Sequence, residues 1–248
     1  PSLSDVPSRM SVDLRTPDGI GTTIPIVVSN MTAVAGRRMA ETIARRGGIA
    51  ILPQDIPIYV LARVIDFVKR CHTVFETPIT LGPDATIAEA LSLIHKRAHG
   101  AVVIVDDGVP VGVFTERDGE GFDRFTQLAN VMSSSLHILS PDIDPAAAFD
   151  HLGRNRLRVA PVVDDGRLLG VITREGALRS TIYQPAVDAD GRLMVGVAVG
   201  INGDPAGRAK ELVGHGVDVL VIDTAHGHQT RTLQAIQAVR AMLPDAKI

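Results

Sequence analysis

Cysteine is nearly absent from this chain: Cys71 is the only one in 248 residues. That excludes an internal disulfide and any cysteine-rich zinc site, and it fits a reducing, cytoplasmic compartment. An excess of charge of one sign is missing too. Lys and Arg number 25 against 28 Asp and Glu, a formal net charge of −3. The strongly basic footprint of a nucleic-acid grip is therefore lacking, and no DNA partner is expected. No stretch approaches the roughly 18 apolar residues of a membrane span and no signal peptide is visible, so no membrane partner is expected either. What is there is ordinary for a globular chain, 45% hydrophobic and 21% charged, which predicts a buried core. The length suits one large or two modest domains.

Strands alternate with helices in two separated blocks, the pattern of a parallel α/β fold. In the first, Ile24–Val28 reads as a strand, Arg37–Arg46 as a helix stopped by Gly47-Gly48, Ile49–Leu52 as a buried strand and Pro57–Arg70 as an amphipathic helix. The rhythm returns after residue 192. Met194–Val199 reads as a strand, Asp204-Pro205 as a cap and first turn, Val217–Ile222 as a strand and Thr230–Met242 as a helix.

Between the blocks lies an internal repeat. Val105-Asp106-Asp107-Gly108 returns as Val163-Asp164-Asp165-Gly166, Gly112-Val113-Phe114-Thr115 as Gly170-Val171-Ile172-Thr173, and Leu81, Pro83 and Asp84 as Leu139, Pro141 and Asp142. All three matches share one offset of 58 residues, so no gap is needed. Each copy is expected to hold a short strand, a helix, a β-hairpin through Asp-Gly and a closing helix.

The repeat resembles the CBS module, over about residues 75–182. Two such copies pack as a Bateman pair and bind adenine or guanine nucleotides, so ATP and GTP are the partners this resemblance implies. It assigns the regulatory nucleotide to Ala101, Thr115, Asp118 and Thr173. The ribose signature is a Thr ending the last strand with Asp three residues on, and a carboxylate suits the task because it accepts from both ribose hydroxyls. The first copy keeps it as Thr115 and Asp118; the second has Thr173 but Gly176. The plain alternative is that both threonines only cap the helix that follows.

The outer blocks carry two strand-end motifs, Ser29-Asn30-Met31-Thr32-Ala33 and Asp223-Thr224-Ala225-His226-Gly227-His228. Ligands of parallel α/β folds sit at carboxyl strand ends. With a CBS pair inserted after the second helix, these motifs resemble the IMP dehydrogenase/GMP reductase family along essentially the whole chain. The resemblance implies a (β/α)8 TIM barrel with an inserted CBS pair, divided as 1–74 barrel, 75–184 tandem CBS modules and 185–248 barrel continued. It implies substrate contacts from Ser29, Asn30 and Met31, and cofactor contacts from Asp223, Thr224, Ala225 and His226. Asp223 would hold the nicotinamide ribose; the plainer reading is a strand-end acid that accepts backbone N–H bonds. The family form Ser-x-Met-Asp-Thr is altered here to Ser-Asn-Met-Thr-Ala. His226 and His228 have no third ligand nearby in sequence, so no metal is expected.

The family nucleophile, a cysteine in a glycine-rich loop after the sixth strand, is not matched by Cys71, which reads as a linker residue. About four strand–helix units are visible where a barrel has eight, so the chain is expected to be a portion of a longer enzyme. The favoured activity is that of the CBS-containing GMP reductase branch: GMP and NADPH to IMP, ammonia and NADP. The alternatives are IMP dehydrogenase, which oxidises IMP with NAD, and a nucleotide sensor without catalysis. The family further implies a homotetramer or homo-octamer.

Overall fold

The chain, described over residues 13–248 in a computed structural model, begins with β1 (Val27–Val28), α1 (Arg37–Arg45), β2 (Ile49–Leu52) and α2 (Ile58–Arg70). Next come β3 (Thr80–Leu81), α3 (Ile87–Ile94), β4 (Ala101–Asp106), β5 (Val109–Thr115), α4 (Pro145–Arg154), β6 (Val159–Asp164), β7 (Arg167–Thr173) and α5 (Arg174–Ile182). It closes with β8 (Gly196–Gly200), α6 (Pro205–Gly214), β9 (Val219–Asp223) and α7 (Thr230–Met242). Two compact units result: residues up to Thr73 with Tyr183–Ile248, and Val74–Ile182.

The first unit is a parallel sheet whose strands stand in chain order, β1-β2-β8-β9, each followed by its helix. Both faces of β2 are buried, as a helix-covered parallel sheet requires. Leu61, Ile65 and Val68 of α2, Ala209 and Leu212 of α6 and Val239 of α7 pack on one face, against Leu52, Val197, Val199 and Leu220. Ile49, Ile51, Ala198 and Val219 gather on the other with Met194. The expected strand from Ile24 shortens to Val27–Val28. Pro25 has no N–H to donate, and the amides of Thr23 and Ile24 turn instead to the Gly47 carbonyl.

At the amino edge of this sheet a cation is buried. Lys69 Nζ lies 2.8 Å from Asp188 and 2.7 Å from Asp218, all three side chains being nearly enclosed. Adjacent residues of α1 grip both places where the chain leaves and rejoins the unit. Arg45 Nε donates to the His72 carbonyl at 2.8 Å, and the Ala44 carbonyl accepts from the Ala186 amide at 2.8 Å. Beside them the fully buried Glu41 carboxylate pairs with Arg45 and accepts from the Cys71 thiol at 3.3 Å.

The second unit bears out the repeat in its hydrogen bonds. Both hairpins turn at Asp-Gly with positive φ at both residues, 46° and 85° at Asp107-Gly108 and 46° and 76° at Asp165-Gly166. That is the twist a two-residue hairpin needs. The ladders shift register at Ile104/Val105 and again at Val162/Val163, 58 residues on. The same offset relates the cores: Ala90, Ile94, Val102, Ile104 and Phe114 match Ala148, Leu152, Ala160, Val162 and Ile172. Two expectations are corrected. The closing helix of the first copy is only a 3-10 turn, Glu116–Gly119, because Gly119 and Gly121 interrupt it. The opening strand of the second copy shrinks to a single bridge, Leu139 to Val162.

Candidate functional site

Because β1, β2, β8 and β9 run parallel, their carboxyl ends share one edge, and each is followed by a polar side chain. Asp223 ends β9, and its Oδ2 accepts from Asn30 Nδ2 at 2.7 Å and Gln54 Nε2 at 2.9 Å. These are side-chain amides from the loops after β1 and β2. Asp223 is therefore not a strand-end acid satisfied by backbone N–H groups. Both amides converge on one oxygen, which leaves Oδ1 for another donor.

A cleft of about 330 Å3 opens beside this carboxylate, lined by Gln54, Asn202, Asp223, Thr224, Ala225 and Arg231 among others. Thr224 Oγ1 accepts from Gln229 Nε2 at 2.6 Å. Arg231, on the first turn of α7, leans on Asn202 Oδ1 at 3.4 Å and faces the cleft with no carboxylate partner among the described residues. Of the residues expected here, Asp223, Thr224 and Ala225 line the cleft and Asn30 is tied to it. His226 contributes only its carbonyl, accepting from Gln229 N and Thr232 Oγ1. Ser29 and Met31 stand exposed on either side of Asn30 and form none of the wall.

Gln54, Asn202 and Arg231 are the residues that sequence reasoning missed. For two of them the signal was present. Asn30, Gln54 and Asn202 each lie two residues beyond the end of a strand, after Val28, Leu52 and Gly200. Searching every strand end for an amide at that place finds all three.

The second unit holds a larger cleft, about 620 Å3, whose wall includes Arg97, His99, Thr115, Arg117, Glu120 and Arg158. Its basic side chains suit an anion. His99 is 3% exposed; its Nδ1 accepts from Ala101 N–H at 3.4 Å and its Nε2 has no partner. Burial lowers the His99 pKa below the ordinary histidine value, against the opposing pull of Glu76, so the ring is neutral at pH 7. Thr115 lines this cleft, whereas Ala101, Asp118 and Thr173 do not. Asp118 Oδ2 instead accepts from both the amide and the hydroxyl of Thr115, each at 2.7 Å. Thr173 finds its carboxylate elsewhere: its hydroxyl donates to Glu76 Oε1 at 2.9 Å and accepts from Gly176 N at 2.8 Å. A Cβ on Gly176 would lie 2.7 Å from that same Glu76 oxygen, so the missing side chain at 176 makes room for Glu76. Nothing in the sequence marks a residue 97 positions away as this partner.

Among the described residues no three His, Cys, Asp or Glu side chains converge as a metal site, and no helix is long and apolar enough to cross a membrane. The sequence model of the IMP dehydrogenase / GMP reductase domain matches residues 1–248. The chain belongs to that family. It is 53% identical over 243 residues to a GMP reductase of Mycobacterium tuberculosis (strain ATCC 25618 / H37Rv), covering 98% of this chain and 51% of the relative. It is 37% identical over 252 residues to an inosine-5′-monophosphate dehydrogenase of the same strain, covering 99% of this chain and 48% of that one. Among solved structures it resembles GMP reductase from Trypanosoma brucei in complex with guanosine 5′-triphosphate, with TM-score 0.66 and 30% identity, over 97% of this chain and 60% of that one. The chain thus spans about half the length of the curated relatives it matches. An α/β fold of this family accounts for the parallel sheet and its polar carboxyl edge.

Proposed function

We propose that this chain is part of a GMP reductase, which converts GMP and NADPH to IMP, ammonia and NADP. In this reading the first unit is the first four strand–helix pairs of a (β/α)8 TIM barrel, and the second is a CBS pair that takes ATP or GTP. One observation carries the site: the Asp223 carboxylate is fixed by two amides through one oxygen, at a carboxyl strand edge, with the other oxygen free beside a cleft. The higher identity to GMP reductase than to IMP dehydrogenase favours the reductive direction.

A dinucleotide fits the residues present. Its ribose needs an acceptor for a diol, and Asp223 Oδ1 is one; its phosphates need donors, and Arg231 and Asn202 line the same cleft. When bound, the cofactor supplies hydride to the purine. The residues of this chain position the reactants, which removes a large entropic share of the barrier. Asp223 anchors the ribose, and the Ser29–Met31 loop, joined to it through Asn30, meets the purine nucleotide. In the second unit Thr115 and the basic wall hold a nucleotide whose binding shifts activity only by its differential affinity for two arrangements of the pair. A homotetramer, or an octamer formed through the CBS modules, is the assembly proposed.

The test incubates the full-length protein with GMP plus NADPH, and separately with IMP plus NAD, while absorbance at the reduced-nicotinamide band is followed. Loss of absorbance with GMP supports the proposal. A gain with IMP alone assigns the dehydrogenase direction, and no change in either leaves a nucleotide sensor.

A further inference from the structure

We propose that Gln54 is a positioning residue for the dinucleotide and that Gly200 is glycine in order to admit it. The inference rests on the reading of Asp223 as the ribose anchor and adds what holds that anchor in place.

A carboxylate at the end of a strand can rotate about its Cβ–Cγ bond. An anchor for a diol is useful only if one oxygen keeps facing the ligand. Asp223 meets two amide donors, Asn30 Nδ2 at 2.7 Å and Gln54 Nε2 at 2.9 Å, and both choose Oδ2. Two N–H groups on one oxygen fix the rotation and turn Oδ1 away from them. They do so without neutralising the acid, as Lys or Arg would. Asn30 is flanked by Ser29 and Met31, the residues of the proposed nucleotide loop. Gln54 comes from the turn that follows buried β2 and itself lines the cleft.

Gly200 supplies the second, independent observation. It pairs with Asp223 across β8 and β9. A Cβ built on it would fall on Gln54 Oε1, well inside contact distance, and meets no other residue within 4 Å. The atom it displaces is the far end of a flexible side chain. The backbone has no need to move, so the amide would swing off Asp223 at little expense to the fold. Gly200→Ala is therefore a specific way to remove Gln54 from the carboxylate without touching either residue.

The experiment uses the full-length protein and follows binding rather than turnover. NADPH is titrated by its own fluorescence, GMP by calorimetry, and thermal stability is recorded for each variant. Gln54→Leu, which lacks the donor, should weaken NADPH about 10-fold or more, in keeping with one hydrogen bond to a charged group, and Gln54→Glu, which also sets a second carboxylate beside Asp223, should weaken it at least as much. GMP binding and the melting temperature should stay close to the parent. Gly200→Ala should reproduce the NADPH loss, and in the Gln54→Leu background it should add less than about 2-fold, because the two changes act through one contact. Asp223→Ala is measured alongside. If it leaves NADPH binding unchanged, the ribose reading fails and the positioning role fails with it. If Asp223→Ala weakens NADPH but Gln54→Leu and Gln54→Glu do not, or if Gly200→Ala and Gln54→Leu losses simply add, Gln54 is not a positioning residue.

Discussion

Replacing Lys69 with Met should destabilise the first unit more than any change at the carboxyl edge of its sheet. Lys69 Nζ serves two carboxylates, Asp188 at 2.8 Å and Asp218 at 2.7 Å, and the three side chains are 7%, 12% and 11% exposed. Methionine keeps the packing of the stem but leaves two enclosed acids with only the half-exposed Arg192 guanidinium, 3.0 Å from Asp188, as a cation. Breaking a buried pair in this way costs about 3–5 kcal/mol. For a domain of this size that lowers Tm by roughly 6–20 °C. The dependence on pH has a definite sign. Burial pushes the Asp188 carboxyl up, but the Lys69 ammonium and the Arg192 amide outweigh it and hold its pKa at about 2. A depressed carboxylate stabilises the fold above its ordinary value of 3.8, and that contribution is lost as pH falls toward 2. Burial raises the Asp218 pKa in spite of Lys69, so Asp218 has the opposite linkage and favours the fold most at low pH. Without Lys69 the Asp218 carboxylate has no cation and Asp188 keeps only Arg192, both pKa values move up, and protonation relieves the repulsion. The gap between parent and variant should therefore be widest near pH 7.5 and narrow toward pH 4.5, in urea denaturation followed by circular dichroism. Adding Asp218→Asn to the variant should restore part of the loss. A deficit under about 1 kcal/mol, or one that does not change with pH, would refute the reasoning.

Other outcomes follow from the two clefts. Asp223→Ala should weaken NADPH by about 10- to 150-fold, the loss of a hydrogen bond to a charged group, with little effect on the GMP Kd measured by calorimetry. Asp118→Ala frees the Thr115 amide and hydroxyl together, and should abolish the response to ATP and GTP while unregulated turnover persists; calorimetry beside the activity assay checks it. Gly176→Asp sets a second carboxylate against Glu76 at a Cβ distance of 2.7 Å. It should lower Tm by several degrees without creating a nucleotide site, and Glu76→Gln should relieve part of that drop.

Local rules made much of this fold readable before any coordinates. Asp-Gly demands positive φ at both turn residues, which fixes two hairpins, and Asp204-Pro205 caps α6 as its chemistry requires, with the carboxylate accepting from Gly207 N at 2.9 Å. The 58-residue offset was legible as identities, and it extends into core positions where the identities have gone, as with Phe114 and Ile172. Where the reading slipped, a single residue decided the matter: Pro25 trimmed β1, and Gly119 with Gly121 cut a helix to one turn. The site divides in the same way. Asp223 is marked by its own strand, but its partners Asn30 and Gln54 lie 193 and 169 residues away. Glu76 is equally silent, for only folding carries it to Thr173.

The grip of α1 on the departing and returning chain bears on how a unit like Val74–Ile182 can sit within another fold at all. His72 and Ala186 are held by adjacent residues of one helix, and Lys69 and Asp188 meet just beyond them. To the sheet, the whole excursion is a loop whose two feet are already pinned. Closing a longer loop adds only about 0.6 kcal/mol for each doubling of its length. The first unit is thus nearly indifferent to the size of what is threaded between those feet. A short turn or an entire domain could occupy the same place, and lineages could gain or lose a module there without rebuilding the sheet.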